Sequence, residues 1–248
     1  MRCFIVLPCF NEEVNIKQLV HSLDEVLRRK IPYRIIAVND GSRDRTGEFL
    51  KDLSTDYPVE IVEHPANLGL GAALRTGLLA ASEEAFDDDV VVTMDSDNTH
   101  DPKDVLGMLD AIVKADVVVG SRYAEGGVQL NVPVHRVLLS RMINLMVSKV
   151  FQLPSRDNTS GFRCFRVSLL KRIYGVFGDR IIESDGFVSS LELLLKAVYS
   201  GGVVTEVPIL LDYGKKGGSS KMRLFSTVFT YLALLLRHKW LNGLKRFD

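Results

Sequence analysis

The 248-residue chain carries 31 basic and 31 acidic residues, and 46% of it is hydrophobic. That length and apolar content suit one large α/β domain or two small ones with a sizeable core. The even charge balance argues against a nucleic-acid partner, so any anion site has to be local.

Cys3–Leu7 is an apolar run ending at Pro8, too short for a signal peptide and fit for a buried parallel strand. Ile16, Leu19, Val20, Leu23, Val26 and Leu27 then recur at helical spacing. Arg34–Val38 reads as a second strand closed by NDGS, and Asp44 as the cap of a short helix carrying Phe49, Leu50 and Leu53. Val59–Val62 is a third strand, and the NLGLGAALRTGLLAA stretch opens a helix with glycines. Strand Val90–Met94, helix Asp104–Ala115 and strand Val117–Gly120 follow. Strands alternating with helices predict an α/β fold, a mostly parallel sheet flanked by helices, with ligands at the carboxyl ends of the strands.

The second half is expected to hold a helix over 137–153, a strand near Cys164–Phe165, a helix over 187–199 and a strand near 203–207. The loop GKKGGSSKM and an uncharged stretch, Leu224–Leu236, close the chain. No stretch reaches the ~20 apolar residues of a membrane-spanning helix. Basic residues border both apolar helical segments: Arg122, Arg136, Arg141 and Lys149 around 137–153, and Lys215, Lys216, Lys221 and Arg223 ahead of the tail. Such flanks suit either core helices with solvated rims or helices lying on an anionic membrane surface. Three cysteines, Cys3, Cys9 and Cys164, lack metal-ligand spacing and point to reduced thiols in a cytosolic setting.

Polar groups cluster at the predicted strand ends. In VVVTMDSDNTHDP, Asp95 and Asp97 are two residues apart, so at an extended strand end both carboxylates face one point. A hard divalent cation, Mg2+ or Mn2+, bridging to a diphosphate would relieve their repulsion; an Asx-rich turn before the next helix is the plain alternative. Asp40 either accepts hydrogen bonds from a base or ribose or serves as an ordinary turn aspartate. Asn67, Gly69 and Gly71 either bring backbone close to a phosphate at a helix N-terminus or allow tight helix–sheet packing. His64 and His100 are candidates for proton transfer, with a structural role the commoner use of such residues.

LPCFNEE, VNDGS, the Asn67–Gly77 glycine run, MDSD and VGSRY occur together in an order that resembles family 2 glycosyltransferases with the GT-A fold. Arg136 fourteen residues after Arg122, Ser140 four beyond it, and GSSKM at 218–222 resemble the dolichol-phosphate mannose synthase-like branch. The resemblance implies a GT-A type nucleotide-sugar-binding fold over residues 1–222, with 1–122 the donor half and 123–222 the acceptor half. The apolar stretch and its basic flanks suggest C-terminal amphipathic, interfacial helices in a 223–248 tail. Pro8, Phe10, Glu12, Val38, Asp40 and Asp95 are implied as nucleotide contacts. Asp95, Asp97 and Thr99 are implied at the metal, Arg122, Arg136 and Ser140 at the acceptor phosphate, and Asp97, Arg122, Arg136 and Lys215 in catalysis.

Three residues depart from that pattern: Asn39 for an aspartate, Thr99 for a glutamine, and Lys215 for an arginine. Thr99 offers a metal only a hydroxyl, leaving Asn98 as another ligand candidate. The implied reaction is metal-dependent transfer, with inversion, of mannose or glucose from GDP-mannose or UDP-glucose to a polyprenyl phosphate. The implied setting is the cytoplasmic face of a membrane, with a membrane-protein tether as another possible partner. A sugar-hydroxyl acceptor would instead need a carboxylate base, for which Asp185 and Glu192, expected on one helix, are the candidates. A non-catalytic sugar-nucleotide-binding protein is the remaining alternative.

Overall fold

Cys3–Cys9 (β1) is buried on both faces: Cys3, Ile5, Leu7 and Cys9 join one core cluster, Phe4 and Val6 the other. A strand covered on both sides needs apolar residues at successive positions, which is why the run is unbroken. The computed structural model describes residues 1–217 with Tyr231 and Leu234. After β1 come α1 (Ile16–Leu27), β2 (Tyr33–Asp40), α2 (Thr46–Asp56), β3 (Val59–His64), α3 (Leu70–Glu84), β4 (Val90–Thr93), α4 (Asp104–Ala111) and β5 (Val117–Ser121). The second half adds β6 (Val128–Leu130), α5 (Val134–Phe151), β7 (Arg163–Arg166), α6 (Val167–Phe177), α7 (Val188–Tyr199), β8 (Val204–Pro208) and β9 (Leu210–Asp212).

The main sheet has seven strands in the order β3-β2-β1-β4-β7-β5-β8. All neighbours are parallel except β7, which runs antiparallel to both β4 and β5. β6 and β9 form a separate parallel pair. Helices α1, α2 and α4 cover one face through residues such as Leu19, Leu50 and Met108; α3, α6 and α7 cover the other through Leu74, Leu170 and Leu194.

The sequence-predicted elements appear within a few residues of their expected bounds; one helix is shorter, and β6, α6 and β9 are additional. Helix Asp104–Ala115 stops being α-helical at Ala111 and ends in a 3-10 turn, Ile112–Lys114. Helix α6 is new: Val167, Leu169, Leu170 and Ile173 carry its buried side. Asp44 does act at the start of α2, where its carboxylate accepts from the Thr46 N–H at 3.0 Å, and it also takes the Glu13 N–H at 3.1 Å.

Glycines set how closely α3 approaches the sheet. A Cβ on Gly77 would overlap a Val6 methyl and lie 3.2 Å from Val38 Cγ2. Helix α5 is different: only Ile143, Asn144 and Val147 are buried, while Val134, Leu138, Met142 and Leu145 are all more than half exposed. Among the described residues no helix is long and apolar enough to cross a membrane. The GSSKM loop, Lys221, Arg223 and the tail, apart from Tyr231 and Leu234, lie outside the described residues.

Candidate active site

Strands β1, β2, β4 and β5 all end at one cleft of about 1240 Å³. Pro8, Phe10 and Glu12 reach it from β1, Asp40 from β2, Asp95, Asp97 and Thr99 from β4, and Arg122 from β5. Helix α5 adds Arg136 and Ser140; the last described loop adds Tyr213 and Lys216. Four parallel strand ends opening at one sheet edge give the crevice this topology is expected to have.

Asp95 and Asp97 do face a common space, and their environments differ. Burial, and then the charge of Asp97, push the Asp95 carboxyl up to about 7. Burial would raise Asp97 too, but the Lys216 ammonium and the Thr99 hydroxyl hold it below the usual carboxylate range. Thr99 Oγ1 donates to Asp97 Oδ1 at 2.6 Å, and Lys216 Nζ pairs with Oδ2. Asn98 does not point there: its amide donates to the Asn15 carbonyl at 3.2 Å. A divalent cation fits this chemistry, because two oxygen donors in a poorly solvated cleft are left short of positive charge. Among the described residues no group of three or more His, Cys, Asp or Glu is placed to hold a metal. Asp95 and Asp97 would therefore share the cation with phosphate oxygens and water.

The Arg122 guanidinium is held as a fork. Its Nε and one amino group donate to the two Asp157 oxygens at 2.7 and 2.6 Å, and that amino group also reaches Thr159 Oγ1 at 2.7 Å and Ser140 Oγ at 3.3 Å. The Arg122 N–H donates to Asp157 as well, at 2.9 Å. Asp157 is fully buried; desolvation would raise it, and Arg122 overrides this to leave it below its ordinary value. Asn144 on α5 ties in by accepting the Asn158 N–H at 2.7 Å and donating to Thr159 at 3.1 Å. Arg163, buried beneath, donates to the Asn158 and Ser190 carbonyls. Bidentate, charge-assisted bonds of this kind fix direction as well as charge. Sequence reasoning missed Asp157, Asn144, Thr159 and Arg163; the polar run SRDNTSGFR between two apolar segments was the available signal.

Several expected residues sit elsewhere. Val38 is wholly buried against α3, so its side chain is a core group and not a nucleotide contact. Lys215 stays outside the cleft: it is half exposed and lies 3.7 Å from Asp101, while its neighbour Lys216 enters the cleft. Glu192 cannot be a free base, because its carboxylate accepts the Glu183 and Ser184 N–H groups at 3.0 and 2.7 Å and pairs with Lys196 at 2.6 Å. Asp185 precedes α7 instead of lying on it, and does line the cleft. Asn39 bonds Glu63 at 2.7 Å and holds the turn to Ser42 at 3.2 Å, away from the cleft.

Asp40 reaches the cleft with its carboxylate already used. It accepts the Leu68 and Gly69 N–H groups, each at 2.9 Å, and meets His64 Nδ1 at 2.7 Å, while His64 Nε2 meets Thr76 Oγ1 at 3.0 Å. His64 thus has the structural role, and Asp40 fixes the loop leading into α3. His100 is buried beside Phe162, with ring centroids 4.8 Å apart, and burial lowers its pKa to about 4.

Gly69 has φ +92°, and a Cβ there would overlap the Asp185 carboxylate. That backbone is open essentially to glycine alone, so Gly69→Ala is expected to cost about 1–3 kcal/mol in urea unfolding. An unchanged midpoint would show that the loop does not need this conformation.

The glycosyl transferase family 2 model matches residues 4–174. A dolichol-phosphate mannosyltransferase of Pyrococcus furiosus is 32% identical over 99% of this chain, which spans 66% of that protein's length. A polyprenol monophosphomannose synthase of Mycolicibacterium smegmatis is 31% identical, over 89% of this chain and 81% of its own. An undecaprenyl-phosphate mannosyltransferase of Micrococcus luteus is also 31% identical, over 90% and 88%. Among solved structures, glucosyl-3-phosphoglycerate synthase of Mycobacterium tuberculosis, with Mn2+, UDP and glucosyl-3-phosphoglycerate, aligns with a TM-score of 0.63 at 16% identity, covering 93% of this chain and 76% of its own. The fold is therefore of the GT-A type, and the chain belongs to glycosyl transferase family 2.

Proposed function

We propose that this protein transfers a hexose, mannose or glucose, from a nucleoside diphosphate sugar to the phosphate of a polyprenyl phosphate, inverting the anomeric carbon. The observation that carries the proposal is the pairing, in one cleft, of the Asp95/Asp97 carboxylates with Arg122, Arg136, Ser140 and Lys216. The names of the curated relatives support a polyprenyl phosphate acceptor. GDP-mannose and UDP-glucose are the candidate donors.

Asp95 and Asp97 would hold Mg2+ or Mn2+, which when bound supplies charge neutralisation for the departing nucleoside diphosphate. Pro8, Phe10 and Glu12 line the same cleft and would contact the donor nucleotide. Arg122, aimed by Asp157, and Arg136, whose guanidinium lies 5.8 Å from the Tyr213 ring, present positive charge to the acceptor phosphate. A phosphate monoester is already anionic near neutral pH, so these residues need only position it and balance its charge. The exposed apolar residues of α5, beside Arg141 and Lys149, suit a protein working at the cytoplasmic face of an anionic membrane. A tether through a membrane protein is the other way to reach it.

The test is incubation of the full chain with membranes, Mg2+ or Mn2+ and labelled nucleotide sugars, followed by extraction of the label into organic solvent. One hexose is expected to enter the lipid phase. Arg136→Ala should lower that transfer about 100-fold, the scale for one preorganised charge donor, with nucleotide affinity kept within about twofold. Full transfer by Arg136→Ala would overturn its acceptor role. A sugar-hydroxyl acceptor is the second reading, favoured by Asp185 at the cleft wall; label found only in glycan, and lost in Asp185→Asn, would establish it instead.

A further inference from the structure

The segment Tyr213–Gly217 lines the cleft as a strap, and two of its attachments bear on the Asp97 site. At one, Lys216 Nζ pairs with Asp97 Oδ2, the carboxylate oxygen that Thr99 leaves open. At the other, Gly217 docks on Asn15: its N–H donates to Asn15 Oδ1 at 3.0 Å, and its carbonyl accepts from Asn15 Nδ2 at 3.2 Å. The fit at Gly217 is tight, since a Cβ there would overlap Asn15 Oδ1. Asn15 is itself fixed by Glu12 at 2.7 Å. Lys215, next in the chain, turns the other way toward Asp101, so the strap sends only one of its two ammonium groups inward.

We propose that Lys216 is a tethered cation that shares the Asp97 site with the divalent metal ion, so that the strap is latched on Asp97 in the metal-free protein and metal entry releases it. Two cations cannot both hold Asp97 Oδ2 at contact distance without strong mutual repulsion. The ammonium is three-donor and compact, suited to replace a metal on a carboxylate and to be replaced by one. Affinity for the metal is then reduced by the fraction of molecules whose strap is open; a strap latched in about nine molecules of ten weakens binding about tenfold. The released ammonium remains at the cleft, where it can meet an incoming phosphate. The proposal rests on the metal reading of Asp95 and Asp97.

Mn2+ alone, without nucleotide, is the probe: the free ion is counted by electron paramagnetic resonance during titration of the full chain. Lys216→Met should bind Mn2+ about tenfold more tightly, and Lys216→Arg close to the native protein. Gly217→Ala, which keeps every charge but blocks the Asn15 dock, should also bind more tightly. Lys215→Met removes the same charge one residue away and should change affinity less than twofold, which separates a latch from a general field. In hydrogen exchange, Mn2+ should speed exchange of the Lys216 and Gly217 amides. Native-like affinity in both Lys216→Met and Gly217→Ala, or slower amide exchange with Mn2+, would overturn the latch. If the native protein binds Mn2+ and Asp97→Asn does not, the metal reading survives that result; if neither the native chain nor the two opened variants bind Mn2+, both fall.

Discussion

Asp157→Asn is expected to destabilise the protein by about 3 kcal/mol, the low end for a buried ion pair that loses one partner. The carboxylate is fully buried, the Arg122 side chain is 15% exposed, and their two bonds are 2.6 and 2.7 Å long. Removing the negative charge leaves a guanidinium in a cleft wall facing neutral acceptors, an amide oxygen and the Ser140 and Thr159 hydroxyls. The pH dependence has a definite sign. Asp157 is held below its ordinary value of 3.8, so the folded state releases this proton more readily than the unfolded state does. Its stabilisation is complete above 3.8 and fades as pH falls below it, because the unfolded chain then binds the proton first. The native and Asp157→Asn proteins should therefore differ by a constant amount in urea unfolding at pH 5 to 8 and converge in more acidic solution. Transfer should fall as well, by about 100-fold, since Arg122 loses its aim. A variant with native stability at pH 7 would show that the pair contributes nothing net.

Asp95→Asn is expected to do the opposite to stability while nearly abolishing transfer. The Asp95 carboxyl is pushed up to about 7 because burial and Asp97 both oppose its charge. Asparagine keeps the shape and removes the repulsion, so the melting temperature above pH 7 should hold or rise. Loss of one of the two carboxylates proposed to hold the cation should lower turnover about 10³-fold, several kcal/mol of charge stabilisation. Activity lost without stability lost is the mark of a group kept for function. Parallel loss of both would mean that Asp95 supports the fold, and unchanged turnover would remove the metal from the mechanism.

The sheet was legible because parallel strands buried on two faces leave unbroken runs such as CFIVL and DVVVG. The strand-end residues Pro8, Phe10, Glu12, Asp95, Asp97 and Arg122 were legible because topology sends them to one edge. Helix α6 was missed although Val167, Leu170 and Ile173 have helical spacing, since RCFRV just before it also reads as a strand. Lys215 and Lys216 are chemically identical neighbours, and only the 3-10 turn Tyr213–Lys215 decides which one faces Asp97. Val38 shares a face with Asp40 but lies two residues short of the strand end, where Gly77 of α3 packs over it. The Asp157–Arg122 pair joins residues 35 apart whose partnership has no local spacing to betray it.

The position of β7 bears on how the chain is made. Strands β4 and β5 flank it, yet both precede Arg163 in the chain and are made first. Until then each presents an open hydrogen-bonding edge of valines, the kind of edge that recruits strands from other molecules. The order of synthesis leaves the nascent chain open to self-association while some forty residues between Ser121 and Arg163 are made. Pausing within that interval, or losing β7 by truncation, should raise the fraction of product that aggregates.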